Sequence, residues 1–88
     1  MRRNNIDIML DILEKTNIEK VTKTKIVYSA NLNFKRADKY LDLLCTMQLV
    51  EYSSQTYSIT ELGREYLKKF KEFNSIFRDK GIELLPLK

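Results

Sequence analysis

The sequence predicts a mainly α-helical chain with one small β-hairpin, an α+β fold that ends in a long, coiled-coil-like helix. Apolar residues recur at helical spacing through most of the 88 residues, whereas only residues 49–59 contain two short strand-like runs around a polar turn. Hydrophobic residues make up 43% of the chain and charged residues 32%, with only two glycines and one proline. This composition is typical of a globular domain and argues against disorder.

The first predicted helix begins near Asn4 or Asn5, either of which can cap it, and reaches about Lys15. This helix has two apolar faces, and both are expected to be buried. We expect the inward stripe to consist of Ile6, Met9, Leu10 and Leu13. Ile8 and Ile12 then lie on another face, which is expected to pack against a second element or a second subunit.

Residues 22–44 contain two short helical patterns separated by a tight polar break. Thr22 is the expected N-cap of the first helix. Asn31 can adopt the left-handed conformation that ends this helix, and Asn33 can cap the next one, which begins at Phe34. The second helix, about residues 34–46, has one inward stripe formed by Ala37, Tyr40, Leu41 and Leu44. An inward stripe with an outward N-terminal face is the arrangement of a helix-turn-helix.

The predicted hairpin follows this motif. Leu49 to Tyr52 forms one strand, Ser53-Ser54-Gln55 the turn, and Thr56 to Ile59 the second strand. A two-stranded hairpin is only marginally stable alone, so we expect it to pack on the helices.

The last helix is predicted to run from Glu61 to about Lys80, with Thr60 as its cap. Its apolar stripe is too long for a small domain to cover, which favours a homodimer in which a partner helix buries it. In this interpretation residues 1–60 form one region and residues 61–88 a dimerisation helix and tail. The alternative is that the helix folds back onto its own Ile8 and Ile12 face. The predicted dimer contacts are Ile8, Ile12, Leu62, Tyr66, Phe70, Phe73 and Phe77.

Positive charge is concentrated around the helix-turn-helix. Between Lys20 and Lys39 the sequence has six basic residues and one acid, Asp38, although the whole chain is only +4. A solvated surface is the simpler explanation of such a run. However, these charges lie where a helix entering a nucleic-acid groove would need them, which favours a binding surface.

Several classes of function are excluded by missing residue types. The chain has no histidine and a single cysteine, so we expect no catalytic triad of the usual kind, no metal site and no cofactor. An enzyme is therefore not expected. No apolar run approaches the roughly 20 residues of a membrane span, so a cytoplasmic protein is expected. Cys45 is expected to be a partly buried small hydrophobe, with an intersubunit disulfide as the alternative.

Three segments, KTKIVYSANLNFKRADKYLDLL, LVEY and YSITELGREYL, resemble the winged helix-turn-helix domains of small archaeal and archaeal-virus DNA-binding proteins. These include chromatin-associated dimers whose long C-terminal helices pair. The resemblance covers roughly residues 5–70. It implies that the helix from Phe34 is the recognition helix and that Ser53 to Thr56 form the tip of the wing. This tip has no Lys or Arg, so any wing contact would be a hydrogen bond to phosphate.

The sequence therefore predicts a homodimeric winged helix-turn-helix protein that binds double-stranded DNA sequence-specifically as a transcriptional regulator. Lys35, Arg36 and Lys39 are expected to contact the groove and nearby phosphates, with Asn33 and Phe34 at the groove entrance. Lys23 and Lys25 are expected at the DNA backbone, and Ser53, Ser54 and Gln55 at the wing. The alternatives are a non-specific chromatin-coating protein and a protein-interaction module.

Overall fold

The computed structural model describes residues 5–79, without the side chains of residues 74 and 77–79. Four helices and one hairpin follow one another as α1 (Asn5–Ile18), α2 (Lys23–Ser29), α3 (Phe34–Thr46), β1 (Val50–Ser53), β2 (Thr56–Ile59) and α4 (Glu61–Asp79). The predicted fold class, mainly helical with a small two-stranded antiparallel sheet, is confirmed.

Helix α1 presents a different face to the core from the one predicted. Ile8 and Ile12 are 2% and 0% exposed and lie in the central apolar cluster, whereas Met9 and Leu10 are only partly buried at its edge. The assignment of Ile8 and Ile12 as dimer contacts is therefore wrong, because both side chains are covered within the protomer; of the two expected partners, a second element and a second subunit, the structure shows the first. Leu13 is buried as predicted.

The helix-turn-helix forms as the capping residues indicate. The Thr22 side chain accepts a hydrogen bond from the Lys25 backbone N–H at 3.2 Å, and the Asn33 side chain accepts one from the Arg36 N–H at 2.7 Å. Asn31 has φ 57°, so it ends α2 in the left-handed conformation. All the residues predicted for the inward stripe of α3 are buried, namely Ala37, Tyr40, Leu41 and Leu44.

The hairpin connects its strands through a tight turn at Ser54 and Gln55. Both residues have positive φ, 51° and 65°, which is the backbone of a type I′ hairpin turn. Val50 pairs with Ile59 at the base of the hairpin. Nearer the turn, an isolated bridge joins Val21 to Tyr57, with the two N···O distances at 3.0 and 2.7 Å. The connector before α2 thus holds the hairpin against the helices.

Helix α4 packs its first half onto the domain. The Thr60 hydroxyl accepts from the Gly63 N–H at 2.9 Å and caps the helix as predicted. Gly63 and Leu67 are buried, and Leu67 belongs to the cluster that contains Ile8 and Ile12. The first half of α4 therefore folds back onto the Ile8 and Ile12 face of α1, as the alternative to a dimer helix predicted.

Beyond Leu67, an open apolar groove of about 640 Å³ lies between α1, the end of α3 and α4. Partly buried and exposed side chains form much of its wall. It is lined by Ile6, Met9, Leu10, Leu13, Leu44, Met47, Leu49, Tyr66, Lys69, Phe70 and Phe73.

Candidate nucleic-acid interface

The exposed face of α3 presents a cluster of cations beside one aromatic ring. Lys35, Arg36 and Lys39 are all exposed, and Phe34 is 49% exposed at the first turn. Because the opposite face of α3 is buried, the helix cannot rotate these side chains away from solvent. The Asn33 cap fixes where the helix begins, so the same cations always occupy the first turns. Asn33 lies at this end but uses its side-chain oxygen within the chain.

Arg36 differs from its lysine neighbours because its side chain is held in place. Its Nη2 donates to the Tyr40 hydroxyl at 3.4 Å, and its Cζ lies 5.9 Å from the centre of the Tyr40 ring. The Tyr40 hydroxyl in turn donates to Oδ1 of Asn5 at 2.5 Å. Tyr40 was predicted only as a core residue. Its contact with Asn5 spans 35 positions, so helical spacing contains no signal for it.

Lys23, predicted at the DNA backbone, forms an ion pair with Asp38 on α3. Both side chains remain partly exposed, at 37% and 52%. The hydrogen bond that Lys23 donates to Asp38 is the main cause that raises the pKa of Lys23 above its ordinary value, so this lysine stays charged. Its charge is shared with a carboxylate, which reduces the positive field that Lys23 offers to a phosphate.

Lys25 lies on the exposed side of α2 and pairs with Glu19 at 2.6 Å. The two side chains are 58% and 54% exposed. Such a surface pair contributes little energy and exchanges readily, so Lys25 stays accessible to another anion. The structure thus divides the predicted cations into those with acidic partners, Lys23 and Lys25, and those on α3.

The tip of the hairpin is polar and uncharged. Ser53, Ser54 and Gln55 are exposed, and the Thr56 hydroxyl donates to the Ser53 carbonyl at 3.0 Å. Behind the tip, the rings of Tyr52 and Tyr57 pack with centroids 4.7 Å apart. Burial raises the pKa of the Tyr57 hydroxyl, which keeps that group neutral.

Of the predicted dimer contacts on α4, Tyr66, Phe70 and Phe73 line the apolar groove, whereas Leu62 lies outside it. Tyr66 and Phe73 are 50% and 49% exposed, Leu62 is 36% exposed, and Phe70 is partly buried. The Phe77 side chain lies outside the described residues. Ile6, Met9 and Leu10 of α1, which were predicted for the inward stripe, are only partly buried and border the same groove.

The part of the chain that the structure describes contains no group of three or more His, Cys, Asp or Glu side chains able to hold a metal ion. Within residues 5–79, no helix combines the length and the apolar character needed to cross a membrane. Cys45 is partly buried and packs against the apolar cluster.

This architecture is shared with known proteins. A family model described as winged helix-turn-helix matches residues 2–78. Uncharacterized protein MJ0290 of Methanocaldococcus jannaschii is 32% identical over 81 residues, which are 91% of this chain but 38% of that protein. Protein MJ0287 of the same organism is 27% identical over 79 residues, covering 90% of this chain and 81% of that protein. The chain therefore spans less than half the length of the first relative.

The structure is also similar to the crystal structure of Sso10a-2, a DNA-binding protein from Sulfolobus solfataricus. The TM-score is 0.63 at 29% sequence identity, and the alignment covers 98% of this chain and 100% of that one. The likeness therefore extends over both the helix-turn-helix and α4.

Proposed function

This chain belongs to the winged helix-turn-helix family, as its sequence resemblance predicted, and we propose that it binds double-stranded DNA through α3 in the major groove. The observation that supports the proposal most is the exposed cluster of Lys35, Arg36 and Lys39 on the first turns of a capped helix whose other face is buried. The description of Sso10a-2 as a DNA-binding protein supports the same class of partner.

The cations fall into two proposed roles. Lys35 and Lys39 make no ion pair with another described residue, and each is a flexible point charge suited to phosphate. Arg36 presents a planar guanidinium with donors beyond the one that Tyr40 accepts, and a bidentate pair of such donors fits the O6 and N7 atoms of guanine. Phe34 offers an apolar edge to a thymine methyl group.

The wing is proposed as a minor contact. Ser53, Ser54 and Gln55 can donate hydrogen bonds to phosphate oxygens but release no counterions of their own. Most of the affinity would therefore come from α3 and from Lys25 on α2.

We further propose that the protein acts as a homodimer in which the apolar groove beside α4 is the interface. Tyr66, Phe70 and Phe73 on one side of the groove face Met9 and Leu10 on the other. A helix from a second copy would bury these side chains, and a symmetric pair needs no additional sequence to do so. A dimer would also present two α3 helices to one duplex, as the half-sites of a regulator require.

The proposed biological role is transcriptional regulation at preferred sites. Selection of bound sequences from a random DNA pool tests both levels of this proposal. Enrichment of a motif supports a sequence-specific regulator. Retention of DNA without enrichment favours a chromatin-coating protein, and loss of retention even at low salt contradicts DNA binding and favours a protein-interaction module.

A further inference from the structure

We propose that Tyr40 and Asn5 are positioning residues that hold the Arg36 guanidinium ready for a base edge, so that Arg36 supplies selectivity while the lysines supply general affinity. This inference rests on the proposed DNA binding by α3. It concerns two side chains that would not themselves touch DNA.

The hydrogen bonds of the Tyr40 hydroxyl have a fixed direction. A tyrosine hydroxyl has one proton, and that proton is donated to Asn5 Oδ1 at 2.5 Å. The oxygen lone pairs are consequently left to accept, and Arg36 Nη2 donates to them at 3.4 Å. An Asn5 acceptor therefore sets the orientation of the Tyr40 hydroxyl, and the hydroxyl sets the place of the guanidinium.

The Tyr40 ring is a rigid platform for this contact. Its side chain is 7% exposed and belongs to the apolar cluster, so the ring cannot move independently of the core. The Arg36 Cζ lies 5.9 Å from the ring centre, within the range of a cation–π contact. At the other end of the residue, the Arg36 backbone N–H is bound to Asn33 Oδ1 at 2.7 Å. Arg36 is thus held at both its backbone and its guanidinium.

If Arg36 is already ordered in the free protein, DNA binding does not have to offset the entropy lost on ordering this side chain. An arginine loses substantial rotamer freedom when it is immobilised, and that loss weakens association unless folding has already imposed it. Of the five N–H donors of a guanidinium, the Tyr40 contact uses one, and a guanine edge needs two. The flexible lysines beside it gain no such advantage. Tyr40 should accordingly affect discrimination between sequences more than binding to DNA in general.

The first test uses the free protein, so it does not depend on DNA binding. NMR relaxation of the Arg36 side-chain N–H groups should report an ordered guanidinium in the wild type and a mobile one in Tyr40→Phe, which removes only the hydroxyl. Asn5→Ala, at an exposed position, should loosen Arg36 in the same direction without altering the core. A mobile Arg36 in the wild type overturns the inference.

The second test measures affinity for a preferred site and for unrelated DNA. Tyr40→Phe should reduce the ratio of the two affinities by about three- to ten-fold, the effect of one hydrogen bond, and leave unrelated DNA nearly unchanged. In an Arg36→Ala background the same change should have no further effect, because Tyr40 would act through Arg36. Tyr28→Phe is the matched control, since its 76% exposed ring lies on α2, and its ratio should equal that of the wild type.

The outcomes separate this inference from the proposed function. If the wild type binds and discriminates while Tyr40→Phe keeps the full ratio, the inference fails and DNA binding stands. An additive effect of Tyr40→Phe and Arg36→Ala also overturns it. If the wild type binds all DNA sequences equally, Arg36 supplies no selectivity for Tyr40 to support, and the inference is overturned. If the wild type binds no DNA at all, the proposed function is overturned as well.

Discussion

Gly63 of α4 lies directly against the backbone of Leu49, such that a Cβ atom at position 63 would lie 2.1 Å from the Leu49 carbonyl oxygen. The same Cβ would lie 2.7 Å from Cγ1 of Ile59. The Leu49 carbonyl also accepts from the Thr60 N–H at 3.0 Å, which fixes the start of α4. This close approach holds α4 on the hairpin and the end of α3.

Gly63→Ala should therefore destabilise the protein, although replacing glycine with alanine inside a helix ordinarily stabilises it by about 0.5–1 kcal/mol. The new methyl group meets backbone atoms that cannot rotate aside, so we expect a loss of about 2–3 kcal/mol in the free energy of unfolding. Urea denaturation at fixed protein concentration measures this. Lys68→Ala, at an exposed position of the same helix, is the control and should change stability by less than about 0.5 kcal/mol. A stabilised Gly63→Ala variant would contradict the packing described here.

The proposed dimer makes a prediction about mass in solution. Light scattering at micromolar concentration should give about twice the 10.5 kDa chain mass for the wild type. Phe73→Asp should give a monomer, because a carboxylate in the apolar groove would be buried against the partner without a counter-charge. Ser75→Asp introduces the same carboxylate at an exposed position two residues away on another face of α4, and it should remain dimeric. A monomeric wild type would remove the basis for the dimer.

How much of the fold the sequence predicts differs between α3 and α1. In α3 one apolar stripe and one polar N-cap, Asn33, agree, so both the buried residues and the start of the helix were predicted correctly. In α1 apolar side chains surround most of the helix, and periodicity cannot choose between two overlapping stripes. The choice is made by α4, whose Leu67 packs in the cluster with Ile8 and Ile12. That contact is tertiary, so it cannot be predicted from the spacing within α1. In the sequence of α4, the aromatic stripe was a stronger signal than Leu67 for which face is buried.

Base contacts and phosphate contacts should respond differently to mutation. Lys39→Ala should weaken binding to all DNA and reduce the slope of log affinity against log salt by about one. Arg36→Ala should cost about 1–3 kcal/mol on a preferred site and much less on unrelated DNA. Ser54→Ala, at the uncharged tip of the wing, should do little. Titrations of the three variants across a salt series decide this. If Arg36→Ala retains both affinities while Ser54→Ala abolishes them, α3 is not the base-contacting element.

The ion pair between Lys23 and Asp38 predicts a gain of affinity. Asp38→Asn removes a carboxylate from the exposed face of α3 and releases Lys23 from its partner. Affinity for preferred and unrelated DNA should rise together, by several-fold at low salt, and the salt slope should steepen. Asp42→Asn is a useful comparison, because this acid is exposed on the same helix and is not paired with Lys23. Its effect should be smaller, and equal effects would mean that the ion pair is irrelevant.

The candidate site was predictable where it depends on residue type and helix phase, and less so where it depends on contacts between elements. Lys35, Arg36 and Lys39 could be placed on the exposed face of α3 from spacing alone. The partners that distinguish them could not, since Asp38 meets Lys23 across two helices and Asn5 meets Tyr40 across the domain. For the pair of Lys23 and Asp38, the signal in the sequence was a single acid, Asp38, among the cations of α3.

The final prediction concerns pH, where three groups act in the same direction. Burial raises the pKa of the Cys45 thiol above its ordinary 9.0 and that of the Tyr57 hydroxyl above 10.0, and the Asp38 hydrogen bond raises that of Lys23 above 10.5. Each group binds its proton more tightly in the folded chain than in the unfolded chain. Their stabilisation is thus fully present below about pH 9 and is lost as pH rises through the folded-state pKa values.

We therefore expect the free energy of unfolding to change little between about pH 7 and 8.5 as far as these groups are concerned, and to fall above about pH 9. Cys45→Ala should delay the onset of this fall toward the pH at which tyrosine and lysine ionise, because it removes the group with the lowest ordinary pKa. Urea denaturation across the pH series, at one protein concentration, gives the slopes. The slope between pH 9 and 10 is the decisive quantity, since Cys45→Ala can also change stability uniformly through packing. A wild-type slope in that interval that is zero or positive would contradict the prediction, because it would mean that the folded protein releases its protons at least as readily as the unfolded chain.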